Sequence, residues 1–280
     1  MKHFPVQVLM VLMCCFPVFG GEATAVDSKI TIDGSTTVGP IAKAFAEYFM
    51  NRNPQLKITV AESGSGNGAK SLVNATCDIA DMSRFMKNEE IKAAVDKGII
   101  PVSHVVAMDG IAMIVHPANP VKNLSLDEIT GIYLGKITTW KELGGPDEKI
   151  VVISRDTNSG TYEAFEELAL KKQKMTNSVE YVGSNGAVRQ RIQSTVGAIG
   201  YVGLGFIDNT VKAISVAGIE PTRETIVSGK YPIARPLFMF TNGYPKLGSD
   251  VYQFVTFNFT LKGQEIIDGL GYVAVTQYQK

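Results

Sequence analysis

Three short segments of this 280-residue chain combine glycines with hydroxyls: Gly34-Ser35-Thr36-Thr37, Ser63-Gly64-Ser65-Gly66-Asn67-Gly68 and Asn158-Ser159-Gly160-Thr161. Each follows a strand-like run and precedes a helical pattern. The first turn of a helix leaves backbone N–H groups unpaired and carries partial positive charge. Glycine lets a ligand approach the backbone and hydroxyls add neutral donors, so such a segment suits a bound anion. For any one of them the ordinary alternative is a plain helix cap, since Ser, Thr and Gly all serve there. Three in one chain, all after strands, favour the anion.

Arg155 adds a cation at the end of the Val151-Val152-Ile153 run. Open α/β sheets hold ligands at the carboxyl ends of their strands, and a guanidinium fork matches two oxygens of a tetrahedral anion. Its alternative use is a surface ion pair with Asp156 or another acid. Ser83-Arg84 follows the Asp78-Ile79-Ala80-Asp81 run at another strand end. Ser83 is a further donor, and Arg84 either meets the anion or bridges two halves of a cleft; both also suit a simple turn cap.

Catalytic patterns are sparse. There is no Gly-x-x-x-x-Gly-Lys-Ser/Thr loop, no His-x-x-x-His or Cys-x-x-Cys spacing and no Gly-x-Ser-x-Gly elbow. A nucleotide triphosphatase, a zinc site and a hydrolase of that type are disfavoured accordingly. His104 and His116 lie in or beside apolar runs and read as structural. We expect no catalysis, no metal and no cofactor.

The elements that must position these segments alternate between strand and helix. Lys29 to Asp33 and Leu56 to Val60 have strand character, and Ile41, Phe45, Tyr48 and Phe49 share one helical face between them. Ala69 to Asn74 and Glu89 to Asp96 suit helices, with a strand near Ile79 between them. Val102 to Val115 is a long β-rich run with an expected break at Asp109-Gly110. Ser125-Leu126-Asp127-Glu128 matches a capping box. Lys149 to Ile153 and Ala198 to Val202 are strands, with helices through Tyr162, Phe165 and Leu168 and over Val188 to Gln193. Pro236 to Phe240 is a late strand, followed by a helix from about Asp250 to Leu261 and a short one near Ile266. This alternation is that of an α/β protein. The long strands near 110 and 238 are candidates for crossings between two lobes.

The N-terminus reads as a secretory signal: Lys2, the apolar run Val8 to Phe16, then Ala23-Thr24-Ala25 in A-x-A form, with cleavage after Gly20 as the alternative. Cys14 and Cys15 fall inside it, leaving Cys77 alone and no internal disulfide. A lipid anchor on either is the weaker expectation, because Met13 and Cys14 stand where a small residue is needed. Removal of the signal leaves about 255 residues, enough for two domains. Lys plus Arg and Asp plus Glu balance at 27 each, which gives no electrostatic footprint for nucleic acid or an anionic membrane. An anion must then be held by local dipoles and hydrogen bonds.

The whole mature chain resembles the phosphate-binding component of the phosphate ABC importer. The match is carried by Asp33 through Pro40, Ser63 through Gly68, Asp78 through Arg84, Ile132 through Trp140, Ser159-Gly160-Thr161 after Arg155, Gly197 through Val202, and Tyr231-Pro232 through Leu237. The resemblance implies a two-lobed periplasmic-binding-protein type II fold with crossing hinge strands: a signal peptide over 1–25, one lobe from 26–115 plus 225–280, and the other from 116–224. It implies a monomer, periplasmic or otherwise secreted, that captures inorganic phosphate and delivers it to an ABC permease. Carried over by position, the ligand set is Thr36, Thr37, Ser65, Ser83, Arg155, Ser159, Gly160 and Thr161, with Ser35, Arg84, Asp81 and Asp156 as secondary candidates. One position departs: well-known members have an aspartate, which accepts the proton of phosphate, where this chain has Ser83. Asp81 and Asp156 are the acids that could replace it. The alternatives are a binder of sulfate or molybdate and a secreted phosphoester hydrolase on the same fold.

Overall fold

The computed structural model describes residues 28–275, so the signal segment expected over 1–25 lies outside the described residues. Among the described residues no helix is long and apolar enough to cross a membrane. The chain begins with β1 (Lys29–Gly34), α1 (Gly39–Arg52), β2 (Lys57–Ala61), α2 (Ser65–Val73), β3 (Ile79–Met82) and α3 (Asn88–Asp96). In β1, Ile30 and Ile32 turn inward by strand alternation. In α1 the buried face is Ile41, Ala42, Phe45 and Ala46; Pro40 sits in its first turn, where a missing N–H costs nothing. The three strands pair in parallel, β2 and β3 flanking β1.

Next come β4 (Pro101–Val115), β5 (Asn123–Leu124), α4 (Leu126–Tyr133), β6 (Val151–Arg155), α5 (Gly160–Leu168), β7 (Glu180–Val182), α6 (Asn185–Gln193), β8 (Ala198–Gly203), β9 (Lys212–Val216) and α7 (Arg223–Val227). The chain closes with β10 (Ala234–Asn242), α8 (Asp250–Thr256), α9 (Leu261–Gly269) and β11 (Val273–Ala274). The strand order is β2-β1-β3-β10-β4-β8-β6-β7. The strand β4 joins the halves: Pro101 to Gly110 runs antiparallel to β10, and Ile111 to Val115 runs against β8 and β9. The expected break at Asp109-Gly110 does not occur; the strand changes partner there instead, so the backbone stays paired as it passes from one half to the other.

Each half has its own apolar cores. On the first, Phe45 meets Phe254 and Phe257 edge-on at 6.0 and 4.9 Å, and a second cluster gathers Leu72, Met82, Phe238 and Phe240. On the second, Trp140, Tyr133, Phe165 and Tyr201 pack together, joined by Ile226, Tyr231 and Ile233. The Ser125–Glu128 capping box forms as expected. The long C-terminal helix does not: α8 ends at Thr256 and a 3-10 turn, Phe257–Phe259, precedes α9. Thr256 and Thr260 turn their hydroxyls back onto Tyr252 O and Phe257 O, while Thr260 Oγ1 caps Gly263. Such side-chain bonds compete with a continuous helix.

Candidate functional site

Four helix starts carry the hydroxyls. At α1, Ser35 Oγ accepts from the N–H groups of Thr37 and Val38 at 3.1 and 3.4 Å. Gly34 leads into it at φ +137°, and a Cβ there would lie 2.2 Å from Asp81 O, so only glycine lets β1 end against β3. The second segment stands ahead of the helix expected from Ala69, but α2 already begins at Ser65, so its Ser and Gly form the first helical turn. Gly64, at φ +100°, makes the entry. At α5, Ser159 Oγ accepts from Thr161 and Tyr162 N–H, both at 3.2 Å. The fourth start, α6, is capped by Ser184 Oγ from Ala187 N–H at 3.0 Å.

These starts meet between the halves. Thr37 Oγ1 and Thr161 Oγ1 are 2.9 Å apart. Asn185 Nδ2 donates to Thr36 Oγ1 at 3.2 Å and to Thr37 Oγ1 at 2.9 Å. Gly66 N–H donates to Asn158 O at 2.9 Å. A Cβ on Gly160 would lie 2.4 Å from Ser65 Oγ and 2.7 Å from Ser83 Oγ, so the N-terminus of α5 sits against both serines. Ser65 Oγ also accepts from Ser83 N–H at 3.1 Å. The cleft is therefore closed, with Ser35, Thr36, Thr37, Ser65, Ser83, Ser159 and Thr161 all buried.

Arg155 is 1% exposed, and its Nε and Nη1 have no hydrogen-bond partner among the described residues. Its Nη2 donates to Gly183 O at 3.0 Å, two residues before Asn185. Its backbone N–H donates to Tyr201 Oη at 3.3 Å, and that phenol also bonds Ser154 Oγ at 2.7 Å. Stacking of Tyr201 on Phe165, with centroids 3.9 Å apart, fixes the support. Burial pulls the guanidinium down to about 10, with nearby Arg235 adding to that and Tyr201 and Asp156 opposing it. Arg155 thus stays charged near neutral pH. A buried guanidinium with free donors is costly unless an anion meets it.

The second buried cation was not singled out from sequence. Arg235, on β10, spends its donors on the protein: Nε and Nη2 on Asp109 Oδ2 at 3.3 and 3.0 Å, Nη1 on Ser83 O at 2.9 Å and Gly160 O at 3.3 Å, and Nη2 again on Thr161 Oγ1 at 2.9 Å. Burial pushes the Asp109 carboxyl up and Arg235 down, and each offsets the other's desolvation. Asn185 was likewise missed. Its signal was Ser184-Asn185-Gly186 ahead of a helix, the same composition as the other three starts.

The secondary candidates divide. Ser35 holds the turn that leads into α1. Arg84 pairs with Glu90 at 2.7 Å on its own side and with Glu163 of α5 at 2.5 Å across the cleft, the bridge that was one of its two candidate uses. Asp156 Oδ1 accepts from Asn158 N–H at 2.8 Å and shapes the loop before α5. Asp81 is fully buried with both carboxyl oxygens unpartnered among the described residues; burial, then Glu62 and Asp33, push its pKa well up. His104 bonds Thr241 Oγ1 at 2.8 Å and His116 Nδ1 accepts from Ala118 N–H, both away from the cleft.

Two α/β halves joined by crossing strands, with a polar cleft sealed between them, define a solute-binding protein. The family model described as "PBP superfamily domain" matches residues 21–259, and the chain belongs to that superfamily. It is 36% identical over 227 residues to the phosphate-binding protein PstS of Bacillus subtilis, covering 80% of this chain and 73% of that one. It is 33% identical over 257 residues to the PstS of Borreliella burgdorferi, covering 88% and 90%. Among solved structures it is similar to a putative phosphate ABC transporter substrate-binding protein with bound phosphate from Clostridium perfringens: TM-score 0.82, 35% identity, covering 89% of this chain and 100% of that one.

Proposed function

We propose that this protein captures inorganic phosphate between its two lobes and delivers it to an ABC permease, without chemistry on the ligand. The observation that carries this is the buried Arg155 with two unspent donors, set among hydroxyls and helix N-termini from both halves. A tetrahedral oxyanion satisfies such donors better than any neutral solute. The names of the relatives support the choice of phosphate. The ligand set in this reading is Thr36, Thr37, Ser65, Ser83, Arg155, Ser159, Gly160 and Thr161, with lobes of 26–115 plus 225–280 and 116–224. The protein works as a monomer outside the cytoplasm after removal of its signal segment.

Calorimetric titration of the mature protein with phosphate, sulfate and molybdate tests this. Phosphate should bind most tightly. A clear preference for either of the others reassigns the ligand. Sustained turnover of a chromogenic phosphomonoester, tracking the protein through purification, contradicts the absence of catalysis.

A further inference from the structure

Several hydroxyls of the cleft already accept a bond from a group that can only donate. Asn185 Oδ1 accepts from Gly203 N–H at 3.3 Å, which fixes the amide so that its NH2 faces Thr36 and Thr37. An amide NH2 only donates, as does a guanidinium. Thr36 and Thr37 Oγ1 therefore accept from Asn185, and Thr161 Oγ1 accepts from Arg235. Ser65 Oγ accepts from Ser83 N–H. A hydroxyl that already accepts keeps its proton to give, and the accepted bond polarises it toward giving. Ser83 Oγ stands apart: it meets only the Ser65 hydroxyl, at 3.3 Å, among the described residues. Thr37 and Thr161, 2.9 Å apart, spend one of their two protons on each other, so the pair keeps one to give. With Thr36 and the Nε and Nη1 of Arg155, the lining is mostly donors, and Ser83 is the hydroxyl with no fixed donor to it.

We propose that Asn185 and Arg235 are positioning residues that bias Thr36 and the Thr37–Thr161 pair toward donation, so that the cleft takes phosphate as its dianion. This rests on the phosphate reading above. When the monoanion is captured one of its two O–H bonds breaks, the electron pair stays on that phosphate oxygen, and the proton leaves to water and buffer; the dianion keeps the other O–H. Phosphate monoanion and dianion interconvert at a pKa of about 6–7. Capture near pH 6 should then release a proton that capture near pH 8 does not.

The ionisable groups around the cluster are Arg155 and Asp156 at the end of β6, Arg235 on β10, Asp109 on β4, Asp81 on β3 with Asp33 and Glu62 near it, Tyr201 on β8, Tyr272 on the Thr37 carbonyl, and the Arg84–Glu163 pair. Of these, Asp81 is the acid to control for, since burial raises it and its oxygens have no hydrogen-bond partner among the described residues.

The test is calorimetry of phosphate binding to the mature protein at pH 6 and pH 8, each in two buffers of different ionisation enthalpy. The expected result is release of most of one proton at pH 6 and almost none at pH 8, unchanged in Asp81→Asn. Asn185→Leu, which keeps volume but removes the donors, should at least halve the release at pH 6 and weaken binding at pH 8 roughly ten-fold, an effect of about 1.4 kcal/mol. Asn185→Ala provides the same comparison if the leucine variant does not fold. No release at pH 6, proton uptake at pH 8, or release abolished by Asp81→Asn overturns the inference. Release unchanged in a folded Asn185 variant leaves Asn185 as packing and also overturns it. Absence of phosphate heat at either pH sinks the phosphate reading itself, a different outcome from heat without proton release.

Discussion

Arg84, just after β3, places its Nε 2.5 Å from the Glu163 carboxylate on α5, so one guanidinium ties the two lobes beside the cleft. Lys87 Nζ reaches the same carboxylate at 3.2 Å, and Glu90 holds Arg84 from behind. Burial pulls the Arg84 guanidinium down, but Glu90 and Glu163 outweigh it and hold it charged. The pair spans the two lobes in this closed arrangement. Arg84→Ala should therefore speed phosphate release roughly ten-fold and leave the on-rate nearly unchanged, as for most interface truncations. Stopped-flow kinetics checks this. Glu163→Gln should behave alike, and the double variant should fall short of the sum because the two residues are in contact. Additive effects would mean they act separately.

Gly160 sits tightly against the opposite lobe. An added Cβ would meet Ser65 Oγ at 2.4 Å, Ser83 Oγ at 2.7 Å and Ser65 Cβ at 2.9 Å. These groups lie on the opposite lobe, so the clash falls on closure and not on folding of either half. Gly160→Ala should keep its thermal stability without ligand and lose phosphate affinity by roughly a hundredfold, about 2.8 kcal/mol. Small-angle scattering should show no compaction when phosphate is added. A variant that binds and compacts normally would place the closed contact elsewhere.

Asp81 sets a pH dependence of stability. Its carboxyl is buried without hydrogen-bond partners among the described residues, and burial, followed by Glu62 and Asp33, raises its folded-state pKa well above the unfolded value. Between the two pKa values the folded state binds more protons than the unfolded, so stability falls as pH rises from about 4 upward until the folded pKa is passed. Asp81→Asn removes this dependence. It should raise the melting temperature, and by more at pH 7.5 than at pH 4.5. Thermal denaturation at both pH values measures it; a gain equal at the two, or a loss, would contradict an unpaired acid at this position.

Much of this site was legible because helix starts after strands have a local signature. Ser35, Ser65 and Ser159 stand among glycines and hydroxyls that few other structures require, and Arg155 closes an unmistakable strand. Arg235, Asp109 and Asn185 were less visible because their roles come from pairing across the sheet. Asp109 and Arg235 are register partners on β4 and β10, 126 residues apart, and nothing local marks them as a pair. The Asp109-Gly110 pair reads as a break by propensity; tertiary pairing with Arg235 and Ala234 keeps it in the strand. The short strands β7 and β11 have too few residues for a period to show.

The most direct test of anion capture by Arg155 is the calorimetric phosphate Kd of Arg155→Ala against wild type, with folding checked by circular dichroism. Removing one partner of a buried, hydrogen-bonded charge pair typically costs about 2–5 kcal/mol, which is roughly one and a half to three and a half decades in Kd. Burial of the guanidinium with Nε and Nη1 unspent leads us to expect a loss in that range, the fold remaining intact. Wild-type affinity in a folded Arg155→Ala protein would contradict it.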